Sequence, residues 1–229
     1  MTNKLLRSLL LSFILASTMM AWAQIAWAGP PLVCWPFDIG NAKSLPWGGS
    51  GWHATNSDYD IHRLVDDTLA LLSADAPVLV RMETLRRATV YAMKDSLIGN
   101  QLYSRLAARA QDVHQKGNSE ALALFDAGYL AESLKQANVF STDQKFASNP
   151  GGYSSVLKAI ALRGNDPEME FAAALISIEP RRSDHPEHLQ KAVAGASENS
   201  QLARNLVGHF GGQGKTFAEL RSNVLSAKK

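Results

Sequence analysis

From Ile61 to Val224 the apolar residues of this chain fall on helical stripes. Runs that alternate apolar and polar residues, the mark of a strand, are absent. That periodicity makes an all-α architecture the fold to expect. Ile61, Leu64, Val65, Thr68, Leu69 and Leu72 form the first stripe, with His62, Arg63, Asp66 and Asp67 off it. Asp75 is read as the N-cap of a second helix whose first turn holds Pro77, where a missing N–H costs nothing. Its inner face is read as Val78, Met82, Leu85, Thr89 and Ala92. A third helix carries Ile98, Leu102, Leu106, Ala110 and Val113, and stops at Gly117-Asn118. Ser119 to Val139 is apolar almost all round, which predicts a central helix covered on several sides.

After a predicted loop over 140–152, shorter helices follow. Tyr153, Val156, Leu157, Ile160 and Ala161 make one stripe. Asp166-Pro167 opens an alanine-rich helix through Ile178, whose Ala172-Ala173-Ala174 run permits close approach of a neighbour. Asp184 with Glu187 reads as a capping box. Leu202, Leu206 and Phe210, then Phe217, Leu220 and Val224, give the last faces. The helix openers keep no fixed spacing, which a true repeat array needs. Residues 61–229 are therefore expected to form one all-helical domain, an irregular bundle or a short, helical-repeat-like α-α superhelix.

Residues 29–60 have a different character. They hold Pro30, Pro31, Pro36 and Pro46, five glycines, and Trp35, Trp47 and Trp52. Such a stretch cannot be a long helix, yet it is too apolar for a disordered tail. It is expected to lie extended over the helical body, anchored by its aromatic rings. Its start, Gly29-Pro-Pro-Leu-x-Cys34-x-Pro36 followed by Ile39-Gly40 and Ser44-Leu45-Pro46-Trp47, resembles the mature N-terminus of some uncharacterised exported bacterial proteins. That resemblance implies export and brings no activity with it.

The first 28 residues read as a secretory signal peptide. Lys4 and Arg7 precede an apolar run from Leu9 to Ala23, and Ala26-Trp27-Ala28 supplies a small-x-small cleavage step. Ala21-Trp22-Ala23 offers a second cut, and an uncleaved membrane anchor is the competing reading. Loss of Lys4 and Arg7 would bring the 23 basic residues level with the 21 acidic ones. A neutral mature chain argues against nucleic acid as a partner, and against a membrane surface once the leader is gone. With Cys34 as the only cysteine, no internal disulfide holds the fold, and a multi-cysteine zinc site is excluded.

Several residue groups are candidates for chemistry. Cys34 would be a thiol nucleophile or redox group if His53 or His62 lowered its pKa; the plainer reading is a buried small hydrophobe. Trp47-Gly-Gly-Ser-Gly-Trp52-His53 sets two flat rings and an imidazole across flexible glycines, a pattern that suits ligand binding, although tryptophans also serve as anchors. His185 and His188 stand at i, i+3, a spacing that is not diagnostic of zinc. Gly211-Gly-Gln-Gly214-Lys215-Thr216 departs from a P-loop, having His209 at the first glycine position and a helix before it. Arg81, Arg86, Arg87, Arg105 and Arg109 would bind an anion if they converged. Asp66, Asp67, Glu83, Asp95 and Asp112 are equally placed to pair with them, giving a solvated, charge-balanced surface.

The expected protein is periplasmic or secreted, needs no cofactor, and binds an unidentified protein or envelope component without catalysis. A thiol-dependent enzyme centred on Cys34 and an envelope protein retaining its N-terminal helix are the alternatives. Intact mass of the protein from its native host, measured without reductant, checks the first step. The expected mass is that of residues 29–229 with a free thiol; the full-length mass would show that the leader is retained.

Overall fold

The structure, a computed structural model, describes residues 29–112, 116–139, 151–164, 166–179, 181–212 and 215–227. The expected signal peptide lies outside these residues, as do Val113 and positions 140–150 of the expected loop. The fold is all-α. A short 3-10 turn at Ile61–Arg63 leads into α1 (Leu64–Leu71), then α2 (Val78–Ala92), α3 (Ser96–Ala110), α4 (Asn118–Gln136) and α5 (Gly152–Arg163). There follow α6 (Pro167–Ile178), α7 (His185–Gly195), α8 (Gln201–Leu206), continued by a π-helical turn at Val207–Gly211, and α9 (Phe217–Ser226). Among the described residues there is no sheet, only a bridge between Trp47 and Thr55, and no helix is long and apolar enough to cross a membrane.

α4 packs along α3 and α5, as its all-round apolar surface requires, and also touches α2 and α6. At its contact with α5, a Cβ on Gly128 would stand 2.5 Å from the Gly152 carbonyl oxygen, so the two backbones approach as closely as they do because neither residue has one. α6 lies along α7, with Ala172, Ala173 and Ala174 fully buried. Contacts of α2 with α4 and α6, and of α7 with α9, skip over sequence neighbours. A stack of repeats contacts only adjacent units, so the arrangement is an irregular bundle.

Two helix starts differ from their sequence reading. α2 begins at Val78 after Pro77, not from an Asp75 cap, and the Leu79 N–H donates to Glu168 Oε2 on α6 at 3.1 Å. The carboxylate that meets the positive end of α2 thus comes from 89 residues further along the chain. Asp184 precedes α7 but its side chain makes no capping bond, because that carboxylate accepts from the Tyr153 hydroxyl at 2.7 Å. A complete capping box forms instead at α9, between Thr216 and Glu219.

The segment 29–60 contains no helix and supplies Leu32, Val33, Phe37, Ile39 and Leu45 to the main core. Phe37 packs edge-on against Phe171 of α6 at 6.0 Å. The three tryptophans are half-buried, so aliphatic residues and Phe37 anchor the segment more deeply than the indoles do.

The Gly128–Gly152 approach gives a direct test. Gly128→Ala has to push α4 and α5 apart, which costs about 1–3 kcal/mol for overpacking. A urea denaturation midpoint lowered accordingly, with unchanged slope, is the expected result.

Candidate functional site

The second helix is where sequence and structure part most. Every residue of α2 except Arg87 is buried. The arginines read as a solvated, charge-balanced surface are not one: the Arg81 and Arg86 side chains are 0% exposed. Arg81 is buried against Asp126 of α4, whereas Arg86 is covered by the segment 29–60, which closes the face that periodicity leaves to water and offers backbone carbonyls in its place. Arg86 Nη1 donates to the carbonyls of Val33 (3.0 Å) and Trp52 (2.9 Å), and Arg87 Nη1 donates to that of Leu45 (2.6 Å).

Glu83 is the shared counter-charge of this pair. Its two oxygens receive Arg86 Nε and Nη2 at 2.7 and 2.9 Å, a bidentate fork, and Oε1 also receives Arg87 Nε at 2.7 Å. Oε2 accepts in addition from the Phe37 N–H at 3.0 Å. Arg105 stays exposed, and Arg109 reaches the Leu72 carbonyl at 3.2 Å. The five arginines therefore do not converge on one anion site.

On this charged seat rests the Trp47–His53 loop. The Arg86 and Arg87 guanidinium carbons lie 4.9 and 5.4 Å from the centre of the Trp47 ring, with the Tyr91 ring edge-on at 6.0 Å. Trp47 Nε1 donates to the Gly51 carbonyl at 3.1 Å, and the Gly48 N–H to that of Ala54 at 2.7 Å. The Tyr91 hydroxyl donates to the Pro46 carbonyl and accepts from the Asn56 N–H, holding both ends of the loop. Trp47 is thus engaged from below. Trp52 is half-buried and meets the exposed His53 ring at 4.9 Å, so the outer part of the loop is Trp52 with His53.

The loop adjoins an apolar corner that the sequence reading did not single out. Met93 and Leu97, at the turn from α2 to α3, are 48% and 73% exposed. Between them Lys94 Nζ donates to Thr55 Oγ1 at 2.8 Å, joining the corner to the base of the loop. The signal for it was weak, since Leu97 sits on a stripe neighbour of Ile98 and reads as core.

The remaining candidates are dispersed. Cys34 is half-buried, and burial raises its thiol pKa, with Arg86 offsetting this only in part. Among the described residues no hydrogen bond joins it to His53, which lies in the tryptophan loop, or to His62, which is exposed in the 3-10 turn. His188 Nδ1 meets the fully buried Glu170 at 2.5 Å, and its Nε2 faces Asp184 at 3.9 Å. His185 Nδ1 instead lies 2.9 Å from the Ala174 carbonyl and 3.0 Å from Ser177 Oγ. The two imidazoles therefore do not share a ligand position. Among the described residues no group of three or more His, Cys, Asp or Glu side chains is arranged to hold a metal ion. Comparison with protein-family models, curated proteins and solved structures finds no match for this chain.

A second buried pair stands apart from the loop. Arg81 Nη1 donates to Asp126 Oδ2 at 2.6 Å, with Arg81 Nε on the Ala76 carbonyl and Nη2 on that of Ser73. Burial pushes the Asp126 carboxyl up to about 6, and Arg81 counters only part of that. A carboxyl raised on folding favours the folded state most below its ordinary value, about 4, and loses that contribution as pH rises through 6. Asp126→Asn, which cannot ionise, should flatten this component of the stability–pH profile between pH 4 and 6, read by thermal melts in matched buffers. For the seat beneath the loop, Glu83→Gln leaves Arg86 and Arg87 without their counter-charge and should cost about 3–5 kcal/mol in chemical denaturation.

Proposed function

We propose that this protein is an exported, non-catalytic helical module that binds another protein or an envelope component through Trp52, His53 and the adjoining Met93–Leu97 corner. The observation that carries this reading is the corner itself. Leu97 is 73% exposed, Met93 48%, and both flank the lysine that holds the tryptophan loop. Exposed apolar side chains beside an aromatic loop, rimmed by polar groups, are the usual make-up of a protein-binding face. Leu162 and Leu225, the other large exposed hydrophobics among the described residues, lie on α5 and α9 without such a neighbour described for them.

Rigidity supports the same reading. The loop stands on a bidentate ion pair and a tyrosine clasp, so little conformational freedom is lost when a partner docks. Export to the periplasm or beyond rests on the features of residues 1–28 and on the resemblance of Gly29 to Trp47. A reaction at Cys34 is less well supported, because a half-buried thiol with a raised pKa is a poor source of thiolate.

Photo-cross-linking in the native host tests the binding face. A photoreactive residue at position 97 or 53 should give one common adduct, which Trp52→Ala weakens severalfold while the far-ultraviolet helical spectrum is unchanged. The same product from probes at positions 162 and 225, or none from 97 and 53, would refute the assignment.

A further inference from the structure

α8 does not end as an α-helix. Val207–Gly211 winds wider, as a π-helical turn, a rare geometry that tends to occur where a fold has a special task. Within it His209 is turned inward and is 6% exposed. Its Nδ1 donates to the Asn205 carbonyl at 2.9 Å. The imidazole lies flat on Phe37 (4.9 Å, 10°), edge-on to Phe171 at 5.3 Å, and 6.3 Å from the Trp35 ring. Two of those three walls belong to the segment 29–60. One turn earlier the Asn205 side chain holds Asp38 by both backbone groups, accepting from its N–H at 2.9 Å and donating to its carbonyl at 2.8 Å. α8 and its π turn thus clamp the segment at Trp35–Asp38.

We infer that His209 is an acid-sensitive latch: charging its imidazole releases the segment 29–60 from the helical body while the helices stay folded. The slot suits only the neutral ring, because aromatic walls leave a charge poorly solvated. Burial holds the His209 pKa down to about 4, against favourable backbone groups at Asn205 and Trp35. Of the charges facing it from α2, Glu83 favours the imidazolium and Arg86 opposes it. Asp38 and Arg204 pair with each other at 2.6 Å beside the slot. On α6 Glu170 is turned to His188 and Lys191, and on α9 Glu219 is turned to Thr216. With the segment undocked, the imidazole titrates near its ordinary 6.5. The proton therefore binds the open form more tightly: docking is at full strength above pH 6.5 and weakens as pH falls towards 4, by about a hundredfold or more. Because the segment carries the tryptophan loop, release would also dismantle the proposed binding face; the test below uses no partner, so the two readings fail separately.

Amide hydrogen exchange, followed by NMR at pH 6.5 and 4.5 and corrected for intrinsic rates, tests the latch. The reporters are the Leu32, Phe37 and Asp38 amides, which bond to Gln136, Glu83 and Asn205 respectively. Their protection should fall at least tenfold at pH 4.5 while the amides of α4 keep theirs. His209→Phe, which retains a ring on Phe37 but no proton site, should abolish the pH effect, as should His209→Gln. An equal fall in both variants would assign the trigger to a carboxylate such as Glu83 or Asp38 and overturn the proposal. Unchanged protection in the wild type, or loss in α4 alongside the segment, would also overturn it. Should neither variant fold, the wild-type imidazole titration followed by carbon-13 NMR decides. A midpoint below 5.5 in step with the lost protection supports the latch, and one at 6.5 or above removes it.

Discussion

One carboxylate organises the N-terminal half of this protein. Glu83, buried in α2, receives three guanidinium N–H groups and a backbone N–H. Moving an arginine out of water is costly unless every donor finds an acceptor, and Arg86 has too many for one carboxylate. The surplus goes to the carbonyls of Val33 and Trp52, and that of Arg87 to Leu45. The charged seat therefore requires the segment above it. In turn the segment, which forms turns but no helix of its own, requires the seat for part of its backbone groups. Each half satisfies polar groups that the other would leave buried and unbonded.

This mutual dependence explains what could be read from the sequence and what could not. Helices from α1 to α9 were visible because their core faces recur at 3.6 residues, and α4 was correctly legible as covered on several sides. The covering of α2 was not. Its polar residues Arg81, Glu83 and Arg86 look like a wet face, and only partners far along the chain, Asp126 for Arg81 and the Val33 and Trp52 carbonyls for Arg86, make them core. Asp166 caps α6 as its sequence suggests, but two other cap readings failed for the same reason. Asp75 and Asp184 are plausible local acceptors, but Glu168 and Tyr153 compete from elsewhere in the chain. Local pattern reports which groups need partners; it does not report partners separated by the fold.

At the tryptophan loop the legibility was partial. Two indoles across glycines were conspicuous in Trp47 to Trp52, yet the sequence gives no means of telling which ring faces in. Stacking of Arg86 and Arg87 on Trp47 decides it. Nor does the pattern single out Leu97, because an apolar residue next to Ile98 at a helix start reads as core until the neighbouring helices are in place. The outcome is a scaffold in which charge is spent inward, on geometry, while Met93 and Leu97, two of the four large apolar residues exposed among the described residues, stand beside one loop.

The clasp between Asp38 and α8 has a consequence for how the chain reaches this state. Its bonds join residues 166 and 167 positions apart, so the segment 29–60 is clamped at Asp38 only after Arg204 and Asn205 have been synthesised. Closure across so long a stretch is entropically slow, and contacts of this separation form late. The carbonyls that Arg86 needs lie only 34 and 53 positions away, so α2 can meet the segment before that clasp closes. A newly made chain would therefore hold the segment from the α2 side alone until α8 is made and folded.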